Sequence, residues 1–187
     1  LKDGYGPDEP KYEFIQILLK ETARLNQIVE EFLGFARPKQ PQCQLADVNE
    51  AVESVLALIA TEARTASVTV EKKLDPSIGK HNLDAGLLKQ AFLNVVLNAL
   101  QAMPQGGKLT VESGMVGGVI EVKISDTGIG ISAANRKKLF SPFFTTKKNG
   151  IGLGLVISYR IIENHRGTID VASEPGKGTT FMVRIPV

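Results

Sequence analysis

The side chains and glycines of this chain that could do chemistry fall in four short stretches between residues 94 and 154. The first is Asn94-Val-Val-Leu-Asn98. Amides at i and i+4 share one face of a helix. An amide oxygen is a hard ligand suited to Mg²⁺, a cation that keeps several waters and takes substrate phosphates as well. Leu93, Val95, Val96, Leu97 and Leu100 make that helix largely buried, so the two amides could equally serve each other or the backbone inside a core. The second stretch is Asp126-Thr-Gly-Ile-Gly130, directly after a predicted strand. An acid at a strand end can accept from an exocyclic amine, and the glycines let backbone approach a flat ligand. A plain turn would carry the same pattern.

The third stretch, Phe140-Ser-Pro-Phe-Phe-Thr-Thr-Lys147, sets aromatics around a proline. That suits a packed loop. It also ends in cations and leads into the next glycines, as a lid over a ligand would. The fourth, Gly150-Ile-Gly-Leu-Gly154, opens a predicted helix. Glycines there free amides to face phosphate, and the helix dipole favours an anion. The spacing is neither G-x-x-x-x-G-K-[ST] nor G-x-G-x-x-G, so P-loop and dinucleotide folds lose support. Residues 127–162 hold no Asp or Glu but six cations: Arg136, Lys137, Lys138, Lys147, Lys148 and Arg160. Such a window is either a solvated basic face or a seat for a polyanion.

The elements that must position these stretches form two parts. In residues 8–36, Ile15, Leu18, Thr22, Leu25, Val29, Phe32 and Ala36 alternate steps of three and four, a heptad seam. Leu19, Ile28 and Phe35 widen it, which predicts a bundle rather than a slim two-stranded coil. Pro7 and Pro10 suit the first turn. Pro38 and Pro41 stop the helix, and Arg37-Pro-Lys-Gln-Pro reads as a short stiff linker. One amphipathic helix cannot bury its own stripe. The seam therefore predicts partner helices, with the chain starting partway through a helical hairpin and a homodimer completing the bundle.

From residue 42 onward the pattern is mixed. Asp47-Val-Asn-Glu50 predicts a capping box opening a helix to about residue 63. Residues 68–74 alternate like a strand, and His81 falls in a polar connector before Asp84 opens a helix through 103. Strands at 109–116 and 119–125 are joined by the two-residue turn Gly117-Gly118. Ser132 caps a short helix to about 139. A helix spans 153–165 with Gly167 as its exit residue, and His165 sits in its last turn. Residues 168–173 and 179–185 form a closing hairpin. Three long helices and about five strands in mixed order predict an α+β fold, a two-layer α/β sandwich with helices on one face of the sheet.

Composition narrows the function classes. Hydrophobic residues at 43% and charged residues at 22% exclude a disordered or low-complexity chain. The single cysteine, Cys43, excludes an intrachain disulfide framework and a multi-cysteine zinc site. No apolar run approaches the ~20 residues of a spanning helix. Basic residues number 22 and acidic ones 20, which gives no sign of a nucleic-acid partner.

Each stretch is equivocal, but their order is specific. Asn-x-x-x-Asn, D-x-G-x-G, F-x-P-F and G-x-G-x-G, in that succession, resemble the N, G1, F and G2 boxes of bacterial sensor histidine kinases. These belong to the Bergerat-fold superfamily, with DNA gyrase, mismatch-repair ATPases and heat-shock chaperones. Gly176-Lys-Gly-Thr-Thr180 looks like the family's last glycine motif. The resemblance covers about residues 42–187. Residues 12–38 are similar to the second helix of the family's dimerisation and phosphotransfer hairpin. Asn98-Ala-Leu-Gln-Ala with a short Phe-Phe-Thr-Thr-Lys lid looks most like the nitrogen-regulation branch.

The resemblance implies a partial hairpin over 1–38, a linker over 39–44 and a catalytic ATP-binding domain over 45–187. It implies ATP and Mg²⁺ as cofactors. Asp126 would bind the adenine amino group, with Gly128, Gly130 and Ile131 lining the base and Thr179 beside it. Asn98 would ligate Mg²⁺. Lys147, with the amides of Gly152 and Gly154, would meet the phosphates. Phe140, Thr146 and Lys148 of the lid and Gly150, Leu153 and Leu155 of the glycine loop would complete the nucleotide contacts. Asn94 stands where the superfamily's hydrolases carry a glutamate base; an amide cannot take a proton from water, which fits a kinase that must not waste ATP. Asn94, Asn98 and Lys147 would thus surround the reacting phosphate.

Two departures from the family pattern matter. Gln101 stands where many relatives carry a cation, so Lys147 or Lys148 would supply more of that charge. The phosphoacceptor histidine of the first hairpin helix is missing: the chain has only His81 and His165, and neither is expected to be the acceptor. The implied activity is transfer of the ATP γ-phosphoryl to a histidine on an upstream helix, for relay to a response-regulator receiver domain. The implied setting is bacterial cytoplasm, with membrane attachment only through upstream regions. A hydrolysing ATPase of the same superfamily and an ATP-gated, non-catalytic dimer scaffold remain as alternatives.

Overall fold

The computed structural model describes residues 10–36, 40–147 and 150–187. Pro7 of the expected first turn, the helix stop at Pro38 and the lid cation Lys148 lie outside the described residues. The chain divides into two units, Leu1–Arg37 and Pro38–Val187.

Among the described residues the first unit holds one helix, α1 (Pro10–Ala36). Its seam residues Leu18, Leu25, Val29 and Phe32 are each half exposed or more, so these four positions of the expected stripe lie open on the helix. No helix among the described residues is long and apolar enough to cross a membrane.

The second unit runs β1 (Gln44–Asp47), α2 (Val48–Thr65), β2 (Val68–Lys73), β3 (Lys80–Leu83), α3 (Ala85–Gln101), β4 (Gly107–Val116), β5 (Val119–Asp126), α4 (Ala133–Arg136), α5 (Gly154–Asn164), β6 (Thr168–Glu174) and β7 (Gly178–Pro186). Five strands form one sheet in the order β2-β4-β5-β7-β6. β2 and β4 are parallel and the other neighbours antiparallel. Period-two patterning decides which face is covered. Ile120, Val122 and Ile124 of β5 and Phe181, Val183 and Ile185 of β7 are buried, with α2, α3 and α5 supplying the facing apolar residues Val52, Phe92, Val96 and Ile162. On the opposite face Arg184 pairs with Glu121 at 3.0 Å and Asp170 at 2.7 Å. The exposed Arg184–Asp170 pair contributes ~0–1 kcal/mol, and both pairs lie on the face away from the helices, so the apolar layer holds the sheet to its helices. The expected α+β sandwich is the fold observed.

Several local expectations change. Asp47 does cap α2, but its carboxylate accepts from the Asn49 amide at 2.8 Å rather than in a box with Glu50. Residues 80–83, expected as a connector, form β3 paired antiparallel with β1. His81 is therefore half-buried on a strand, its Nε2 2.8 Å from the Ile78 carbonyl. α4 stops after one turn, at Arg136, not near 139. The left-handed residue after α5 is Arg166, with φ 57°. Gly167 is there for a different reason: a Cβ on it would lie 2.3 Å from the Arg184 carbonyl.

His165, at the C-terminal end of α5 as expected, is also a buried bridge between helices. Its Nδ1 lies 2.7 Å from the Ile161 carbonyl and so carries the proton, while Nε2 accepts the Asp84 amide at 3.1 Å. The Asp84 carboxylate in turn caps α3 through the Leu87 amide at 2.9 Å and takes the Gln42 amide at 2.8 Å. One residue thus ties the start of this unit, the N-terminus of α3 and the C-terminus of α5. Truncating His165 to alanine leaves the Asp84 amide without a partner. It is expected to cost ~1–3 kcal/mol, measurable as a lowered thermal midpoint.

Candidate nucleotide-binding site

The four stretches converge around the C-terminal half of α3. Asn94 and Asn98 share its face, as the i, i+4 spacing requires. The Asn98 Nδ2 donates to its own helix at the Asn94 carbonyl, 2.8 Å away. That bond engages one of the two amino hydrogens and turns the Asn98 oxygen outward. The Lys147 ammonium donates to that oxygen and to the Gln101 side-chain oxygen. Desolvation lowers the Lys147 pKa below that of a free lysine, although the residue as a whole remains accessible. The expected link between Lys147 and the Gln101 position is thus a direct contact.

Asp126 ends β5, the strand whose inward register continues Ile120, Val122 and Ile124. The same alternation that buries those residues buries Asp126, which is 6% exposed as a residue. Burial raises its pKa, and backbone donation from Gly128 and Thr179 pulls the other way. The Gly128 bond is 2.8 Å. A carboxylate offers about four acceptor sites, so capacity for a ligand amine remains. Asp126 and Thr179 border an open surface depression of ≈ 410 Å³ also lined by Arg136, Ser173, Glu174 and Lys177. Close packing fixes the glycine turn behind it. Gly130 has φ 68°, and a Cβ there would lie 2.1 Å from the Glu174 carbonyl. The Ile129 amide donates to the Ala102 carbonyl at 3.0 Å, tying the turn to the end of α3. The Ile131 amide is taken by the Ser173 hydroxyl at 2.8 Å, so Ile131 offers a ligand its side chain rather than that donor.

The lid and the second glycine loop meet the same helix. The Phe140 ring packs on Tyr159 of α5, centroids 5.4 Å apart. The Phe143 amide donates to the Gly152 carbonyl at 3.1 Å, and Gly152 has φ 76° with no room for a Cβ beside Phe143 and Phe144. Thr146 is exposed, as is Gly150. Leu153 is buried and takes the N-cap position of α5 with no side chain capping the helix. The first amides of a helix have no intrahelical acceptor, so those of Gly154 and Leu155 present a ready anion site. Sequence reasoning missed the residues that brace this site: Ser158, Tyr159 and Ser173. A serine four residues after Gly154 in an apolar helix was the one readable sign.

Among the described residues no group of three or more His, Cys, Asp or Glu could hold a metal ion. The outward Asn98 oxygen, already engaged by an ammonium, is the hard donor here. It fits Mg²⁺ where phosphates and waters supply the remaining ligands.

Comparison with known proteins agrees with this geometry. Residues 83–187 match the family model of the histidine kinase-, DNA gyrase B- and HSP90-like ATPases. The chain is 40% identical over 94% of its length to the signal transduction histidine-protein kinase AtoS of Escherichia coli strain K12. It spans well under half the length of the curated relatives it matches, 29% in the case of AtoS. Full-length ShkA, solved in complex with AMPPNP, shares the fold with a TM-score of 0.88 at 22% identity, covering 99% of this chain and 40% of that one. Histidine kinase ThkA, solved in complex with the response regulator protein TrrA, superposes with a TM-score of 0.78 at 28% identity, covering 97% of this chain and 53% of that one. The chain therefore belongs to the histidine kinase-, DNA gyrase B- and HSP90-like ATPase family, within which it carries the ATP-binding catalytic domain of a bacterial sensor histidine kinase.

Proposed function

We propose that this chain binds ATP and presents its γ-phosphoryl to a histidine imidazole supplied by a helix outside these residues. In that reading Asp126 accepts from the adenine amine and the glycine turn at Gly128 and Gly130 covers the base. The bare amides at Gly154 and Leu155 take the phosphates, with Lys147 adding charge from the lid. Mg²⁺, when bound, neutralises phosphate charge and holds the phosphates in line; Asn98 would be its protein ligand. A nitrogen lone pair of the acceptor imidazole forms the bond to Pγ as the bond to the ADP oxygen breaks. What carries the reading is the convergence of an acid-ended strand, a side-chain-free helix N-terminus and a lid cation on one face of α3.

Two further assignments rest on the same reading. The bare seam of α1 suits pairing with a second copy of the chain, since half-exposed Leu18, Leu25, Val29 and Phe32 need apolar partners. A response-regulator receiver aspartate is the proposed destination of the phosphoryl group; the ThkA complex with TrrA supports this. An amide at Asn94, which has no proton-accepting capacity at neutral pH, favours phosphotransfer over hydrolysis.

Calorimetry tests the site. Asn98→Ala is expected to weaken ATP binding when Mg²⁺ is present and to leave Mg²⁺-free binding within about twofold of the parent, because only the metal-linked contact is lost. Equal affinity of parent and variant for Mg·ATP would return Asn98 to the core as a structural amide.

A further inference from the structure

Asn94 and Ser158 converge on one backbone atom. The Asn94 Nδ2 donates to the Gly154 carbonyl at 3.0 Å. The Ser158 hydroxyl shares its single proton between the same carbonyl and the Ala91 carbonyl of α3, each 3.1 Å away. Ser158 is fully buried. The opposite orientation of the Asn94 amide would set oxygen against oxygen, so donation is the only favourable arrangement. Gly154 is the first residue of α5, and a Cβ there would meet the Asn94 amide at 3.6 Å. That is ordinary van der Waals contact, so the hydrogen bonds rather than the lack of a side chain set this spacing.

The Gly154 carbonyl and the Leu155 amide belong to one peptide group. Donors placed on the carbonyl polarise that group and make its N–H a stronger donor. That N–H lies in the first turn of a helix whose N-cap provides no side-chain acceptor. We propose that Asn94 and Ser158 act as positioning residues, a clasp on the Gly154 carbonyl. The clasp fixes the first turn of α5 against α3 and strengthens its Leu155 amide for a nucleotide's phosphates. The proposal rests on the nucleotide reading above and extends it. Asn94 acts behind the phosphate site, through backbone, rather than on the reacting atoms. Ser158, which lies outside all four sequence motifs, joins it.

The test is a double-mutant cycle on the full 187-residue chain, read by calorimetry with ADP and with adenosine. Asn94→Ala and Ser158→Ala are each expected to weaken ADP binding roughly three- to tenfold, the range of one net hydrogen bond. The double variant should lose clearly less than the product of the two, because both act through one carbonyl. Adenosine, which has no phosphate, should bind all four proteins alike. Ser158→Ala keeps a helix-favouring residue and stays folded if Asn94→Ala does not, so its ADP-to-adenosine contrast stands alone if needed. Parallel loss of adenosine affinity, multiplicative losses in the cycle, or unchanged ADP binding would each overturn the clasp. A parent chain that binds neither ligand would instead overturn the nucleotide reading, and the clasp with it.

Discussion

Asp126→Ala is expected to lower ATP and ADP affinity by ~1.5–3 kcal/mol, the range for a hydrogen bond to a charged group. The parent chain is expected to reject GTP. Guanine presents a carbonyl oxygen where adenine presents an amine, so two acceptors would face each other beside a buried carboxylate. The cost falls on the wrong ligand because a site built around a buried acceptor leaves it unpaired when the donor is missing. Acidity adds a second signature. Burial raises the Asp126 pKa, so its carboxylate is lost at a higher pH than a free aspartate would be. Adenine affinity should be full above that pKa and fall as pH drops through it, whereas Asp126→Asn should show no such step. Equal calorimetric affinity for ATP and GTP in the parent would remove the adenine assignment.

No γ-phosphate should appear on the 187-residue chain incubated with Mg·ATP. Phosphoryl transfer needs an imidazole nitrogen free, in line and close to Pγ. His165 is buried with both ring nitrogens bonded, to the Ile161 carbonyl and the Asp84 amide. His81 lies on β3 with Nε2 held by the Ile78 carbonyl. A longer form of the protein that adds an upstream helix with its histidine is expected to label through a dimer, giving an acid-labile product. Acid-labile label on the 187-residue chain would overturn this and make His81 or His165 the acceptor. Label on neither form would favour an ATP-gated scaffold instead.

Much of this site was legible because its parts are local. The N-cap at Asp84, the glycine pattern around residues 128 and 152, and the alternation that buries Ile120 through Asp126 are short-range rules of backbone and pattern. The strands at 44–47 and 80–83 were not legible. Each is four residues long and largely polar, and each is a strand only because it pairs with the other. The place of His165 at a helix end was legible, but its acceptor role depends on an amide eighty-one residues away in sequence.

By itself the sequence determined the family, the α+β order, the heptad seam of α1 and the identity of the four motifs, since each is written in residue type and spacing. Tertiary structure alone decided what those residues do to one another. It set Lys147 on Asn98 and Gln101, it brought the Ser158 hydroxyl to the Ala91 carbonyl of α3, and it turned Asn94 toward the Gly154 carbonyl. These contacts join positions dozens of residues apart. Their geometry follows from how α3, α5 and the lid pack, and no local rule of the chain encodes it.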